Sequence, residues 1–558
     1  MPMRPMLLLA LLLVGRAALP AQQSNVDVLR YRFDLRVPDR GKVVRLSSAG
    51  RFARGEGVDS LRLDLLAPMR VSRALLGCDA SPAAAGFTHD GRQVHVALPV
   101  LAPSGRMVPA NPVQVPAPAS DTLCVTVMYE GEPEDGLIIS TDTAGRWRAF
   151  GDNWPDRGRH WLATVDHPSD KALVEFVVDA PAALTVVANG TRRSITDVPG
   201  APGRKRTTWA SATPIPTYLM VVGVAPLVAH DLGETACGLA SVGRCVPQRV
   251  FTAPEQARFM PGHFVEADSI VRFFGALVAP FPYEQLAHVQ SSTRFGGMEN
   301  AGVIFYADRL FRRPNGLEVG LIAHETAHQW FGDAVTEEQW GHLWLSEGFA
   351  TYFAALYTEH SRGDSAFRAE MHRIRDQIVK DDVVARRPVL DTAQTVLLEL
   401  LNTNSYQKGG MVLHMLRREV GDSAFFRGVR SYWLAHRHGN ALTGALRQHV
   451  EREAGRDLTW FFDQWLTRPG FAEVTLSHAW DAALGELVVT ARQTGRFGAY
   501  RFRLPVEVRG ADGARSVVVI EVAAAQESVV RTRVELNGVP GAVSFDPWGD
   551  VLAVLRTP

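Results

Sequence analysis

The sequence predicts a multidomain α+β chain: a β-sandwich-like region first, an α-rich region in the middle and a small β-sandwich at the end. Three observations predict it. From about residue 24 to 230, short β-branched runs such as TLCVTVMY, ALVEFVV and TYLMVVGV alternate with clusters of Gly, Pro, Asp and Asn, the pattern of an all-β sandwich. From about 255 to 470, apolar residues recur at helical spacing, as in GLEVGLIAHETAHQWF, GGMVLHMLRREV and LTGALRQHVEREA, which predicts long amphipathic helices. After RPGF at 468–471 strands return, in GELVVTARQ, YRFRLPVEVRG and RSVVVIEVAAA. The expected divisions are a leader over 1–21, a β domain over 22–230, an α-rich domain over 231–470 and a β-sandwich domain over 471–558.

The leader comes first in the chain. MPMRPMLLLALLLVGRAALPAQQ places Arg4 ahead of an apolar stretch from Met6 to Val14, followed by small residues up to Ala21. That order reads as a secretory signal cut after about Ala21. The stretch falls well short of the roughly 20 apolar residues that span a bilayer, and no later segment is apolar and long enough, so stable membrane insertion is not expected. Export leads to the periplasm or the extracellular space. It makes Cys78, Cys124, Cys237 and Cys245 candidates for disulfides, with three possible connectivities. CGLASVGRC favours Cys237 with Cys245 across a short Gly-containing loop, leaving Cys78 for Cys124; buried free thiols are the alternative. Across 558 residues, 59 Lys+Arg balance 59 Asp+Glu and 46% of the residues are hydrophobic. Zero net charge and the lack of a dense basic run argue against a nucleic-acid partner, whose phosphates demand a basic surface.

The chemistry sits in the middle region. Across NGLEVGLIAHETAHQWFG, Leu317, Leu321, Ile322 and Trp330 fall on recurring faces and Gly332 supplies a stop, so one helix is expected. His324 and His328 then project from one face, one turn apart. That spacing suits two imidazole nitrogens about 2.0–2.1 Å from one zinc ion, with Glu325 beside the first of them to take a proton from the attacking water. The bare spacing is suggestive only, because a catalytic zinc needs a third protein ligand. In GHLWLSEGFATYFAALY, Glu347 follows Ser346, a candidate N-cap, at the start of a second helix, eighteen residues after His328. Taken alone, Glu347 reads more readily as an ordinary first-turn acid favoured by the helix dipole than as a ligand.

The block HETAHQWFGDAVTEEQWGHLWLSEGFATYF resembles the aminopeptidase N family of zinc peptidases throughout: HExxH, eighteen residues, then a glutamate within W-L-x-E-G-F-A. The resemblance implies a thermolysin-like catalytic domain holding one Zn2+ per chain, with His324, His328 and Glu347 as ligands and Glu325 as general base and acid. RFGGMENAGVIFY at 294–306 is similar to the family's G-x-M-E-N motif. By that likeness Glu299 holds the free α-amine of a peptide, and Gly296, Gly297, Met298 and Asn300 line its backbone. A commoner family form has alanine in place of Gly297, and the glycine is expected to loosen the chain modestly. NTNSYQKGGMVLHML resembles the Y-x-K-G segment, which implies Tyr406 as the phenol that donates to the oxyanion. HWLATVDHPSDKALVEFVV and WLTRPGF extend the likeness over most of the chain. FGDNWPDRGRHW departs from it: a glutamine is usual there as a second amine contact, and Asp152 or Asn153 has to serve.

Two histidine features carry no chemistry in this reading. His436 and His438 mark a helix C-terminus, and His342 is expected on the surface of a connecting segment, since a fourth ligand would close the zinc to water. The expected activity is therefore a zinc aminopeptidase acting on peptides with a free N-terminus. A zinc endopeptidase of thermolysin-like mechanism and a catalytically vestigial binding protein are the alternatives. The sequence is silent on the preferred first residue and on oligomeric state.

Overall fold

The computed structural model describes residues 25–557 except 56–57, 79–80, 100–120, 238–243, 313–316 and 537; the expected leader over 1–21 lies outside the described residues. Strands whose side chains alternate between core and solvent build the first region. Val26–Arg36 and Val44–Arg54 bury every second residue along most of their length, the period-two signature of a half-buried strand. They pair antiparallel at the centre of a nine-stranded sheet, and Lys171–Pro181 joins Val26–Arg36 in parallel, with Phe33 opposite Phe176. Four- and three-stranded sheets accompany it. The disulfides Cys78–Cys124 and Cys237–Cys245 are formed.

The sheet that carries the site begins at Val228. Its strand order is Val228–Thr235, Val246–Thr252, Leu286–Ser291, Val303–Ala307 and Gly297–Met298, so the last, two-residue strand forms an edge. Beside it pack the helices Ala267–Leu277, Val319–His328, Trp344–Arg362, Gly409–Val420 and Asp422–His436. Trp330 and Trp344 are fully buried among them, and at roughly 150–250 Å2 of buried area apiece such side chains dominate core energetics. After residue 471 a four-stranded sheet and a three-stranded sheet follow, with Ala472–Asp481 paired in parallel to Ala553–Arg556. The chain is a multidomain α+β protein, as the alternation of strand and helix patterns predicts.

Candidate active site

Among the described residues Gly297–Met298 pairs only inward, Gly297 with Tyr306 and Met298 with Phe305. A cleft of about 700 Å3 is lined by both residues together with Gly296, Trp154, Phe295 and Glu299 on this side and His324, Glu325, His328, Glu347 and Tyr406 on the other. A free sheet edge presents unpaired N–H and C=O groups to which an extended peptide can add. A Cβ at Gly297 would come within 2.2 Å of the Glu325 carboxylate, so glycine there gives that side chain its room. This corrects the expected effect: the consequence falls on Glu325 more than on local chain freedom.

His324 and His328 occupy the last turns of helix Val319–His328. Their Nε2 atoms lie 3.1 Å apart, and Glu347 Oε2 lies 3.3 Å and 3.2 Å from them. Ligands about 2.0–2.1 Å from a tetrahedral zinc would be spaced about 3.3–3.4 Å, so this triangle fits one ion at its centre. Glu347 Oε2 is buried and accepts no hydrogen bond of proper geometry, the state expected of an atom that faces a cation. The second ring nitrogen of His328 is held from behind: Nδ1 donates to the Phe331 carbonyl at 3.2 Å, with Ser346 Oγ 3.0 Å away. Fixing Nδ1–H in this way leaves Nε2 as the lone pair for a metal.

Electrostatics agree. Burial pushes His328 down, but the carboxylates of Glu347, Glu299 and Glu325 outweigh it and hold the imidazole well above its usual range. Burial pushes Glu347 up, but His328 and His324 outweigh it and hold the carboxyl at about 2.

Two more carboxylates stand beside this triangle. Glu299 and Glu325 place an oxygen within 4.8 Å of each other and of a His328 ring nitrogen. Burial pushes Glu325 well above its usual range, with His328 opposing and Glu299 and Glu347 adding. Burial likewise pushes Glu299 up to about 7, His328 opposing and Glu347 and Asp152 adding. Tyr406 donates its phenol to Glu347 Oε1 at 2.8 Å and stacks on His324. It sits in a π-helical turn, Asn404–Lys408, that leads into helix Gly409–Val420; such turns gather at functional sites. Helix Gly409–Val420 approaches Trp344–Arg362 glycine to glycine: a Cβ on Gly348 would lie 2.9 Å from the Gly409 backbone. That contact brings Tyr406 to Glu347.

The profile of the peptidase family M1 domain matches residues 267–465. Aminopeptidase N from Streptomyces lividans is 29% identical over 475 residues, 80% of this chain and 50% of that protein. An M1 zinc metallopeptidase from Deinococcus radiodurans superposes with a TM-score of 0.66 at 27% identity, covering 80% of this chain and 94% of that one. Residues 267–465 carry a peptidase family M1 domain. A second Deinococcus radiodurans M1 structure, bound to Tyr-Ser-Ala, gives the same TM-score over 95% of its chain. Probable aminopeptidase 2 from Sulfurisphaera tokodaii is 26% identical over 369 residues, 45% of its length. The chain thus spans about half the length, or less, of the first aminopeptidases it matches.

Around this M1 domain several expected residues stand elsewhere than their motifs suggest. Asn300 does not face the cleft; it is fully buried and its amide turns back toward the Met298 carbonyl at 3.4 Å, shaping the turn. Asp152 and Asn153 are also fully buried. Asp152 pairs with Arg157 at 2.7 Å, while Asn153 donates to Met220 O at 2.7 Å and accepts from Trp161 Nε1 at 2.8 Å. Neither is free to meet an amine, although Asp152 acts on Glu299 through its charge; the neighbouring Trp154 is the one that lines the cleft. Ser346 is not an N-cap, because the helix already begins at Trp344, and its hydroxyl serves His328 instead. His342 is not on the surface: it is 9% exposed, with Nδ1 2.8 Å from Thr443 Oγ1, and burial holds it at about 4. His436 ends a helix as expected, and His438 turns the chain at φ 61°.

Some buried groups give no signal in the sequence. Lys171, from the strand region of the first domain, donates to the carbonyls of Asp333 and Ala334 at 3.0 and 3.1 Å. Burial lowers it to about 7 against the pull of Asp333 and Glu337. Gln329 bridges the zinc-motif helix to the Glu299 turn.

Proposed function

We propose that this chain is an exported, single-zinc aminopeptidase that removes the N-terminal residue from peptides. One observation carries the reading: the Glu299 carboxylate stands buried beside the metal-ligand triangle, within 4.8 Å of a His328 nitrogen. The charges acting on it are His328, Glu347 and Asp152. A cationic α-amine is the charge complement of such a carboxylate. A peptide whose first nitrogen sits there places its first carbonyl, two bonds further on, at the metal.

His324, His328 and Glu347 would hold the zinc. Zinc there supplies a Lewis acid that lowers the pKa of a bound water toward about 7 and polarises the scissile carbonyl. Glu325 takes the proton of the attacking water and returns it to the leaving nitrogen. Tyr406 leaves Glu347 and donates its phenol to the oxyanion, a donor worth roughly 2.7–4 kcal/mol of barrier. Glu299 holds the amine, and the edge strand at Gly297 and Met298 aligns the backbone. Export is supported by the leader pattern at 1–21 and by the two disulfides. Among the described residues no helix is long and apolar enough to cross a membrane.

A free peptide and its N-acetylated twin test the reading. The free peptide should be cleaved at least a hundredfold faster, because acetylation removes the charge and lengthens the chain past the anchor. Equal rates would favour the endopeptidase alternative, and zinc binding without turnover on either would favour a vestigial site.

The pH dependence of KM follows from the same pair. Glu299, at about 7 with Glu325, Glu347, His328 and Asp152 around it, takes up a proton as pH falls below that value. An α-amine, titrating near 7.7–8.0, loses its proton above about pH 8. Both partners are charged only between those limits, so KM should be lowest there and rise on the alkaline side. A bound dication shifts the acid limb lower by stabilising the carboxylate. In Glu299→Gln the alkaline rise should vanish; a KM flat from pH 7 to 9 in the unaltered enzyme would count against a charge anchor.

A further inference from the structure

We infer that Gln329 is a positioning residue that sets the distance between the amine anchor and the metal ligands; this rests on the aminopeptidase reading above. Gln329 follows His328 directly, caps the zinc-motif helix and is fully buried. Its Nε2 donates to the Glu299 carbonyl at 2.6 Å and to Asp333 Oδ2 at 2.9 Å, and its Oε1 accepts from Gly302 N at 2.7 Å. One carboxamide therefore grips both ends of the turn that joins Gly297–Met298 to Val303–Ala307.

The shortness of this path gives it its effect. The backbone of the anchor residue is joined to the neighbour of a metal ligand by one side chain. A carboxamide is required, because it donates on one arm and accepts on the other in a fixed plane. A glutamate there could not donate to the Glu299 carbonyl and would set a second carboxylate against Asp333. On its far side the turn is held by the first domain, where Asn189 Nδ2 donates to the Ala301 carbonyl at 3.0 Å. With Gln329 gone, the turn keeps that support and its flanking strand, so the expected consequence is a displaced Glu299 and not an unfolded domain. A misplacement near 1 Å is enough to cost about a hundredfold in rate.

The test compares the zinc-loaded full chain with Gln329→Met on an aminoacyl amide and on its N-acetylated form. We expect zinc content to be unchanged, KM for the free amide to rise at least tenfold, and the preference for free over acetylated substrate to fall by the same factor. A merely structural role would lower the active fraction and leave that preference alone. In a Glu299→Gln background, Gln329→Met should add little, since the group it positions is gone. Gln329→Glu, which keeps the side-chain shape and an acceptor for Gly302 N, provides the same comparison should the methionine variant fail to fold. If the unaltered enzyme shows a strong preference and the variants keep it undiminished, or if the two substitutions add independently, the role of Gln329 is overturned alone. If the unaltered enzyme shows no preference, the aminopeptidase reading falls and this inference falls with it.

Discussion

Replacing Glu325 by Gln is expected to lower kcat by about 10²–10⁴-fold, the usual worth of a positioned proton acceptor, while the metal stays bound. The amide keeps the shape and cannot take a proton, and none of the three proposed ligands is touched. A second, opposite effect should accompany the loss. Burial, chiefly, holds Glu325 above its usual range in the folded chain. A carboxyl raised in this way favours folding below its unfolded value near 4.5 and opposes it as pH rises through the folded value. In the metal-free protein at pH 7, Glu325→Gln should therefore raise Tm or leave it unchanged. Zinc analysis, steady-state kinetics and thermal unfolding of the one variant read all three quantities. Activity near that of the unaltered enzyme would refute the assigned base.

Removing the metal should abolish activity and reduce stability together. His324, His328 and Glu347 converge on one point, and in the unfolded chain they do not, so the ion binds the native state. At a thousandfold excess of free zinc over its Kd, that difference contributes about 4.1 kcal/mol. Dialysis against a chelator should thus lower Tm and bring turnover to background, and added Zn2+ should restore both. Without the ion, Glu347 keeps its charge beside His328, while burial and the neighbouring carboxylates hold Glu325 and Glu299 above their usual range. Full activity after the zinc has been removed and shown to be absent would exclude the metal centre.

Much of this was legible in the chain itself, for a local reason. A four-residue step on a helix brings two side chains to one face whatever surrounds them, so His324 and His328 could be read as neighbours before any fold was known. Period-two strands and 3.6-period helices are equally local, and they divided the chain into its β, α-rich and β regions. Where the reading failed, the deciding partner was remote. Ser346 looks like a cap beside Glu347, yet the helix starts two residues earlier and the hydroxyl meets His328. Asp152 and Asn153 look available for an amine, but Arg157, Trp161 and Met220 already engage them. His342 looks exposed in a connecting segment, and Thr443, a hundred residues on, buries it.

By itself the sequence determined which groups the protein owns: two imidazoles one helical turn apart, an acid beside them, a second acid eighteen residues on, and motifs carrying Glu299 and Tyr406. Only the tertiary structure decided where those groups meet. Glu299 reaches the metal triangle because an edge strand of the middle sheet runs along the zinc-motif helix, and Gln329 clasps the turn that follows it. Tyr406 reaches Glu347 because two helices touch at glycines. Distances of a few ångströms between residues dozens of positions apart are set by how sheets and helices pack, and packing depends on every contacting surface at once, which no local pattern records.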